Sequence, residues 1–346
     1  MKTIILTGGN TLGHVTPGLA VIDMLHKLYP TLRIIYITSI KQIDLNLDKN
    51  HEIDKIIYFD LKFENLFDKI KKLISINKKL KQILTLYKPI CVVSFGSIIG
   101  TLLVNLSYKK KIKSVIHEQN AVMGFGNKLV YNKASKVLAG IPLKNKEVTI
   151  VGNPIFLENK KIKTVKNPKK LVITSGTNGS KFFKDLGVFL KHKNLLKEYD
   201  VTFVTGTRYY NEVISKIKES NNFKIVPFIN DLSNYLIDTS FIITRAGALT
   251  LSEIYYLGTN ALIIPSPNVK SNHQFKNAVF YKDYFEVIKE DEFDVNKITK
   301  YLENAKNKKK TSQKINSTTK FIEELENVTK LYWKRKYWYT FKKCKS

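Results

Sequence analysis

The residues best suited to chemistry lie in the stretch 245–253, Arg-Ala-Gly-Ala-Leu-Thr-Leu-Ser-Glu, which follows a short β-branched run. A strand, a glycine turn and the start of a helix are predicted here, because a hydroxyl residue three positions before Glu253 is typical of a capping box. The backbone amides of Ala248, Leu249 and Thr250 would then lie at a helix N-terminus, where partial positive charge favours a phosphate. Two interpretations stay open at this point: an anion-binding site, or a capping box that binds nothing.

A glycine-rich loop near the start of the chain, residues 7–14, ends in a histidine and follows a buried strand predicted for residues 3–6. Its Gly-Gly-x-x-x-Gly spacing matches neither a dinucleotide fingerprint nor a Walker loop. The second predicted strand, 33–38, lacks the terminal acidic residue that binds an adenosine ribose, so NAD is not expected. By itself, His14 is compatible with a structural hydrogen bond or with general-base chemistry near neutral pH.

The elements that must position these loops alternate between strands and helices. After the first loop, a helix is predicted to begin with Thr16 as its cap and Pro17 in its first turn. A second glycine-rich turn, 175–180, follows the first strand of the second half. Further strands are predicted at residues 91–95, 114–116, 171–174, 201–205, 224–227, 241–244 and 261–265. This alternation predicts an α/β fold built on parallel sheets.

A length of 346 residues favours two domains. The lysine-rich polar run 159–170 is predicted to link an N-terminal domain, 1–158, to a C-terminal domain, 171–330, with a tail at 331–346. Because both halves begin with a strand and a glycine turn, two Rossmann-like domains that face a ligand cleft are the simplest arrangement.

Composition narrows the choice of partners. Two cysteines, Cys91 and Cys344, are too few for a disulfide scaffold and suit a reducing compartment. The chain has 58 Lys and Arg against 29 Asp and Glu, a net charge of +29. Such a charge attracts nucleic acid, an anionic membrane or phosphorylated substrates, although scattered lysines also form an ordinary solvated surface.

Several segments bear on membrane contact. No signal peptide is expected, because residues 1–6 run straight into glycines. The uncharged stretch 90–108 is interrupted by serine, threonine, asparagine and glycine, so a strand, a turn and a helix are expected instead of a membrane span. The basic amphipathic segment 64–87 fits an anionic membrane surface or a crossover helix. The tail 331–346 interleaves aromatic and basic residues, which suits a membrane interface, single-stranded nucleic acid or a packed helix.

Five motifs, taken together, resemble the MurG family over nearly the whole chain. They are residues 7–17 (TGGNTLGHVTP), 117–120 (HEQN), 152–154 (GNP), 245–253 (RAGALTLSE) and 274–278 (QFKNA). The resemblance implies the GT-B architecture, in which two Rossmann-like domains with parallel sheets face an interdomain cleft. It also implies transfer of N-acetylglucosamine from UDP-N-acetylglucosamine to an undecaprenyl-linked muramyl-pentapeptide lipid, with inversion at the anomeric carbon.

By this resemblance the donor binds to the C-terminal domain. The amides of Ala248, Leu249 and Thr250 would bind the pyrophosphate, and Glu253 would accept hydrogen bonds from the ribose. The remaining donor contacts would be the backbone of Ile229 with the uracil, Gln274 with the hydroxyls of the transferred sugar, and Thr177 in place of a serine in the second glycine loop.

On the N-terminal side, the resemblance implies that Asn120 and the loop residues Thr11, Leu12 and Gly13 close on the donor sugar. His14 would be the general base or a ligand of the acceptor's pyrophosphate, and both roles stay open. No cofactor and no metal are expected, since an Asp-x-Asp pair is missing. The pair formed by residues 117 and 118 lacks an apparent third ligand and is expected to orient the loop that carries Asn120.

The sequence departs from the family pattern at several positions. Asn10 and Leu12 replace small residues of the first loop, and the residues at 175–176 replace a Gly-Gly pair. Phe156 stands where the family has an arginine that contacts donor phosphate, a loss for which Arg245 or the lysines around Lys160 would have to compensate.

The expected function is therefore the conversion of lipid I to lipid II at the cytoplasmic face of the cell membrane, by a peripheral enzyme that binds an anionic membrane surface and no nucleic acid. Two alternatives remain: a related glycosyltransferase with a diacylglycerol acceptor, and a non-catalytic protein that binds lipid or nucleic acid.

Overall fold

Parallel β-sheets covered by helices form the frame of the protein. The computed structural model describes residues 1–9, 12–40, 47, 51–144, 146–159, 166–308 and 316–331. One compact unit contains the described residues within 1–119 and 123–154 together with those from 316 onward, and a second contains those within 120–122 and 155–315.

The sheet of the first unit has seven parallel strands in the order β3-β2-β1-β4-β5-β6-β7. The direction of the strand order reverses between β1 and β4, where Thr7 lies opposite Ser94. Loops that follow the two strands at such a reversal flank an open crevice, which is the usual ligand site of this kind of sheet. The elements are β1 (Thr3–Thr7), α1 (Leu12–Leu28), β2 (Arg33–Ser39), β3 (Lys55–Phe59), α2 (Leu66–Tyr87), β4 (Cys91–Ser94), α3 (Ser97–Lys109), β5 (Lys113–Glu118), α4 (Phe125–Val130), β6 (Lys136–Ala139) and β7 (Thr149–Ile150).

The second unit repeats the arrangement with a six-stranded parallel sheet in the order β10-β9-β8-β11-β12-β13. Here the reversal lies between β8 and β11, with Thr174 opposite Thr244. The elements are β8 (Asn167–Thr174), α5 (Lys181–His192), β9 (Asp200–Val204), α6 (Tyr210–Lys216), β10 (Phe223–Val226), α7 (Leu232–Tyr235), β11 (Thr239–Thr244), α8 (Ala248–Leu257), β12 (Asn260–Ile263), α9 (His273–Phe280), β13 (Glu286–Val287) and α10 (Ile298–Lys306).

The predicted α/β class and the predicted strands are confirmed, with ends that shift by a few residues. The uncharged stretch 90–108 forms β4 and α3, as expected. Within the part of the chain that the structure describes, no helix has the length and apolar character needed to cross a membrane. Strands β3, β6, β7 and β13 were not predicted, because each is short and none is a fully buried apolar run.

Helix α1 begins five residues earlier than predicted, since the predicted cap at Thr16 would make Pro17 its first residue. It starts at Leu12, so Pro17 lies inside the helix and Thr16 is not its cap. The early start is possible because residue 8 is a glycine, so the backbone after β1 can lie close to the first turn of the helix. A β-carbon on Gly8 would lie 2.0 Å from the carbonyl oxygen of His14. His14 therefore belongs to the first turn of α1 and not to the loop.

The predicted domain boundaries differ from the two units, since residues 120–122 and 155–158, predicted for the N-terminal domain, belong to the second unit. Strand β8 already begins at Asn167, inside the expected linker 159–170, because Asn167 pairs with Thr239 of β11. The last described helix, α11 (Ser317–Thr329), belongs to the first unit and not to the C-terminal domain. Its fully buried Phe321 stacks on Phe95, with ring centroids 5.4 Å apart. The rest of the tail, 332–346, lies outside the described residues.

We expect Phe321→Ala to destabilise the first unit by about 3–5 kcal/mol, because the substitution leaves a cavity against Phe95. Hydrogen exchange followed by mass spectrometry should then show faster exchange in β4 and β5. A matched control is Val279→Ala in the second unit, where the side chain is 42% exposed. Faster exchange confined to the second unit after Phe321→Ala would contradict the placement of α11.

Candidate active site

The turn between β11 and α8 leaves the start of the helix without a side-chain cap. Gly247 is extended (φ −68°, ψ 130°) and occupies the cap position, and the helix begins at Ala248. The backbone hydrogen bonds of the helix begin with the amide of Leu251, which donates to the carbonyl of Gly247 at 2.9 Å. The predicted capping box is therefore wrong, because Glu253 lies in the second turn, too far along to reach the cap. The amides of Leu249 and Thr250 lie in the first turn, the position that favours an anion.

Arg245 is buried beneath this turn and holds it to the neighbouring strand. Its guanidinium donates to the carbonyl of Ile264 at 3.0 Å and pairs with Glu290 at 2.5 Å. Burial lowers the pKa of Arg245, and the hydrogen bond and charge of Glu290 oppose that shift. The guanidinium also lies 4.9 Å from the ring centre of Phe183. With these partners Arg245 is a structural residue, so the idea that it compensates for Phe156 is not supported. Lys160 lies outside the described residues.

Glu253 is held by a hydrogen bond within the second unit. Its side chain is buried, and the hydroxyl of Ser233 on α7 donates a hydrogen bond to its Oε1. Ile229 lies in the segment between β10 and α7, only four residues before Ser233. The residue that bonds the carboxylate predicted for the ribose therefore lies close in sequence to the backbone predicted for the uracil.

Helix α9 supplies two amide side chains with different tasks. Gln274 accepts a hydrogen bond at Oε1 from the amide of Ser266 at 2.9 Å, which fixes its orientation. Within the described chain its Nε2 has no hydrogen-bond partner, and it remains a donor for a sugar hydroxyl. Asn277, one turn further, is fully buried.

Asn277 joins three segments of the site. Its Nδ2 donates to Oδ1 of Asn120 and to the carbonyl of Ala246, both at 3.1 Å. Its Oδ1 accepts from the amide of Ala121 at 2.8 Å. The structure thus brings Asn120, the turn before α8 and the helix of Gln274 together. Sequence reasoning gave Asn277 no role, although its position three residues after Gln274 places both on one side of a helix.

Thr177 lies at the exposed tip of the turn that follows β8, the strand beside β11. The base of this turn needs glycine: Gly179 has a φ of +72°, and a β-carbon there would lie 2.2 Å from the carbonyl oxygen of Thr205. The role predicted for Thr177 on the donor stays a prediction.

In the first unit, His14 faces the carboxyl end of β4. Its Nδ1 lies 2.8 Å from the carbonyl oxygen of Phe95. Because a carbonyl only accepts, Nδ1 carries the hydrogen, and in the neutral ring Nε2 keeps its lone pair. Gly96 makes the approach possible, since a β-carbon at this position would lie 2.9 Å from Nδ1. Of the loop residues predicted near His14, Thr11 lies outside the described residues, and Leu12 and Gly13 begin α1.

The motif 117–120 is a set of structural hydrogen bonds. His117 is fully buried and its Nε2 donates to the carbonyl of Gly152 at 2.9 Å. Burial lowers the pKa of His117 to about 4, so the ring is neutral at physiological pH. Oε2 of Glu118 accepts from the amide of Gly124 and from Asn127, both at 2.9 Å. Among the described residues, no group of three or more His, Cys, Asp or Glu side chains is arranged to hold a metal ion.

Comparison with known proteins gives this arrangement a family. The model of the glycosyltransferase family 28 N-terminal domain matches residues 4–139, and that of the C-terminal domain matches residues 170–331. The UDP-N-acetylglucosamine–N-acetylmuramyl-(pentapeptide) pyrophosphoryl-undecaprenol N-acetylglucosamine transferase of Acetivibrio thermocellus is 32% identical over 300 residues, which cover 80% of this chain and 81% of that protein. The enzyme of the same name from Bacillus subtilis is 28% identical over 354 residues, which cover 95% and 97%.

Among solved structures, the crystal structure of Acinetobacter baumannii MurG shares the fold, with a TM-score of 0.73 and 21% identity over 94% of this chain and 100% of that one. Two parallel α/β units of this strand order, with family 28 sequences in both, define a glycosyltransferase of the GT-B fold. The chain belongs to the MurG family. The resemblance stated from the five motifs is thereby confirmed.

We expect Gly96→Ala to displace the ring of His14, because the new methyl group would overlap Nδ1. The backbone at Gly96 (φ +103°) also disfavours alanine, at a cost of about 1–3 kcal/mol. The imidazole signals of His14 in an NMR spectrum should move. The control, Gly176→Ala, imposes a similar strain at a φ of +90° with no atom within 4 Å. It should lose comparable stability and leave the His14 signals in place, and unmoved signals in Gly96→Ala would refute the contact.

Proposed function

We propose that this chain transfers N-acetylglucosamine from UDP-N-acetylglucosamine to the muramyl 4-hydroxyl of undecaprenyl-pyrophosphoryl-MurNAc-pentapeptide, the step from lipid I to lipid II in peptidoglycan synthesis. Relatives named for this activity are 28% and 32% identical to the chain, which supports the proposal. The structural observation that carries it is the start of α8, where a helix N-terminus without a side-chain cap shares its helix with the buried Glu253.

The donor half of the proposal follows from the chemistry of these groups. The diphosphate binds at the amides of the first turn of α8, with Leu249 and Thr250 among them, and the ribose diol donates to Glu253. Gln274 Nε2 donates to a hydroxyl of the transferred sugar. As UDP leaves, negative charge grows on the diphosphate, and preorganised amides at a helix N-terminus stabilise such charge.

The acceptor half is assigned to the first unit. His14 takes the proton of the attacking 4-hydroxyl at Nε2, and the displacement inverts the anomeric carbon. The hydrogen bond from Nδ1 to Phe95 supports the role of base, because it leaves a lone pair on Nε2. To bind the acceptor's pyrophosphate, the ring would have to donate from Nε2, which would then need a proton in addition to the one on Nδ1. The role of phosphate ligand is therefore less well supported.

The alternatives are less favoured. A diacylglycerol acceptor would suit the same donor site, but the relatives named above act, by name, on a muramyl lipid. A non-catalytic lipid-binding or nucleic-acid-binding role does not account for the buried carboxylate at position 253 or for the orientation of His14.

Transfer of labelled sugar to a short-chain acceptor analogue tests the reaction. Glu253→Gln should raise the donor KM about 10-fold to 100-fold, because it removes the charge of a buried hydrogen-bond acceptor. His14→Gln should lower kcat about 100-fold or more and leave donor binding, measured by calorimetry, unchanged.

Glu292→Gln is the matched control for the carboxylate, since Glu292 lies in the same unit but is exposed and pairs with Lys289. It should behave like the unaltered protein. A folded protein that binds UDP-N-acetylglucosamine and transfers to diacylglycerol but not to the muramyl lipid would overturn the proposed acceptor. Absence of donor binding would overturn the donor site.

We also propose that the first unit binds the cytoplasmic face of the cell membrane through α2. The N-terminal half of this helix exposes a stripe of apolar side chains, Leu66 (72% exposed), Phe67 (77%), Ile70 (51%) and Ile74 (66%). The C-terminal half of the helix packs on the core through Ile76, Leu80 and Leu84. The stripe is flanked by exposed lysines at 71, 78 and 81.

An apolar stripe between cations fits an anionic bilayer, because the apolar side chains enter the headgroup region while the ammonium groups meet lipid phosphates. The expectation that α2 packs on the sheet and the expectation that it contacts a membrane are thus compatible, since they use different side chains. Helix α4 exposes Phe125 and Leu129 in the same unit, which adds apolar surface.

Co-sedimentation with phosphatidylglycerol vesicles tests this surface. The triple variant Phe67→Ser, Ile70→Ser, Ile74→Ser should bind about 100-fold more weakly, because each side chain contributes roughly 1 kcal/mol or more of apolar transfer. Leu86→Ser is the control, since Leu86 is 72% exposed on the same helix but lies about 100° around the axis from Phe67. Equal losses in both would indicate that the stripe has no special role. Whether residues 332–346 add to binding stays a prediction, which their removal tests.

A further inference from the structure

We propose that Gln119 and Ser94 are positioning residues that hold the peptide group between Phe95 and Gly96 in one orientation and thereby fix the tautomer of His14. The inference rests on the proposed function, since the tautomer matters for transfer only if His14 is the base.

The carbonyl of this peptide group has two donors. Nδ1 of His14 lies 2.8 Å from the carbonyl oxygen of Phe95, and Nε2 of Gln119 lies 3.1 Å from it. On the opposite edge of the same peptide group, the amide of Gly96 donates to Oγ of Ser94 at 3.2 Å. Both Gln119 and Ser94 are buried, at 2% and 1% exposure, so neither hydrogen bond competes with bulk water.

A restraint is needed because the peptide group precedes a glycine. Gly96 has a φ of +103°, a conformation that glycine alone adopts readily, and glycine also populates negative φ values at little cost. Rotation of the peptide plane would turn the amide of Gly96, instead of the carbonyl of Phe95, toward His14. The ring would then accept at Nδ1 and carry its hydrogen on Nε2, the atom that must be free to take a proton.

The orientation of Gln119 is itself determined by its surroundings. Its Nε2 faces the carbonyl of Phe95 and, at 3.3 Å, the carbonyl of His117, so the amino group and not the oxygen must point this way. His117 donates from Nε2 to Gly152, which leaves Nδ1 as a further acceptor 3.3 Å from Nε2 of Gln119. The two hydrogens of this amino group are therefore shared among three acceptors. The backbone oxygen of Gln119 accepts from Asn153 at 3.2 Å.

The end of the chain completes this support. Phe321 of α11 packs against both Phe95 and His117, with its ring centre 5.4 Å and 5.7 Å from theirs. Phe321 lies about 200 residues after Gln119 in the sequence. Its ring nevertheless provides apolar packing for the residues that orient His14.

The experiment uses the full chain labelled with ¹⁵N-histidine, with His14→Gln to assign the signals. In the unaltered protein the His14 shifts should report hydrogen on Nδ1. Gln119→Met, which keeps the side-chain volume and removes the donor, should shift the ring toward the Nε2–H tautomer. It should lower kcat about 10-fold to 100-fold with the KM for UDP-N-acetylglucosamine unchanged. Ser94→Ala acts on the other edge of the peptide group and should move the same signals, so the test survives if one variant does not fold.

Asn127→Ala is the matched control, because Asn127 is a buried amide that bonds Glu118 and not Phe95. Its His14 tautomer should be that of the unaltered protein. If both Gln119→Met and Ser94→Ala fold and keep hydrogen on Nδ1 and full kcat, the inference is wrong. A tautomer shift in a protein that shows no transfer at all would instead support the inference and overturn the proposed function.

Discussion

A parallel sheet whose strand order reverses once forces its functional loops to one edge. The crossover helices on the two sides of the reversal cover opposite faces of the sheet, so the loops after the two central strands flank an open crevice. In the first unit the loop after β1 leads into α1, whose first turn carries His14, and the loop after β4 carries Phe95; in the second the loop after β11 leads into α8. The concentration of candidate chemistry at these points is thus a consequence of topology, and each unit repeats it.

Two buried carboxamides then determine how those loops are held. Asn277 joins the turn before α8 to Asn120, and Gln119 bonds the carbonyl that faces His14. A buried amide that loses a partner costs about 1–3 kcal/mol, so such a side chain strongly favours the one backbone arrangement that satisfies it. Because both are uncharged, they fix the geometry without adding a net charge near the reacting groups.

The basic residues of the chain occupy two kinds of environment, buried and exposed. Arg245 is buried and paired with Glu290, where it stabilises a turn and is withdrawn from ligands. The lysines of α2 are mostly exposed around an apolar stripe, the setting in which cations attract anionic surfaces. A count of basic residues cannot distinguish these environments, because they differ in how deeply the side chain is buried and in whether a carboxylate lies beside it.

The sequence by itself determined the α/β class, most strands, the glycine turns and the family, because β-branched runs, glycines and ordered motifs are local signals. It misplaced the start of α1 and read Thr250 and Glu253 as a cap, since the same residues satisfy either pattern until the helix start is known. Only the tertiary structure decided that α11 packs on Phe95 and His117, and that Asn277 binds Asn120. Those contacts join residues that are distant in sequence, and their energy comes from burying surfaces and amides that no local window contains.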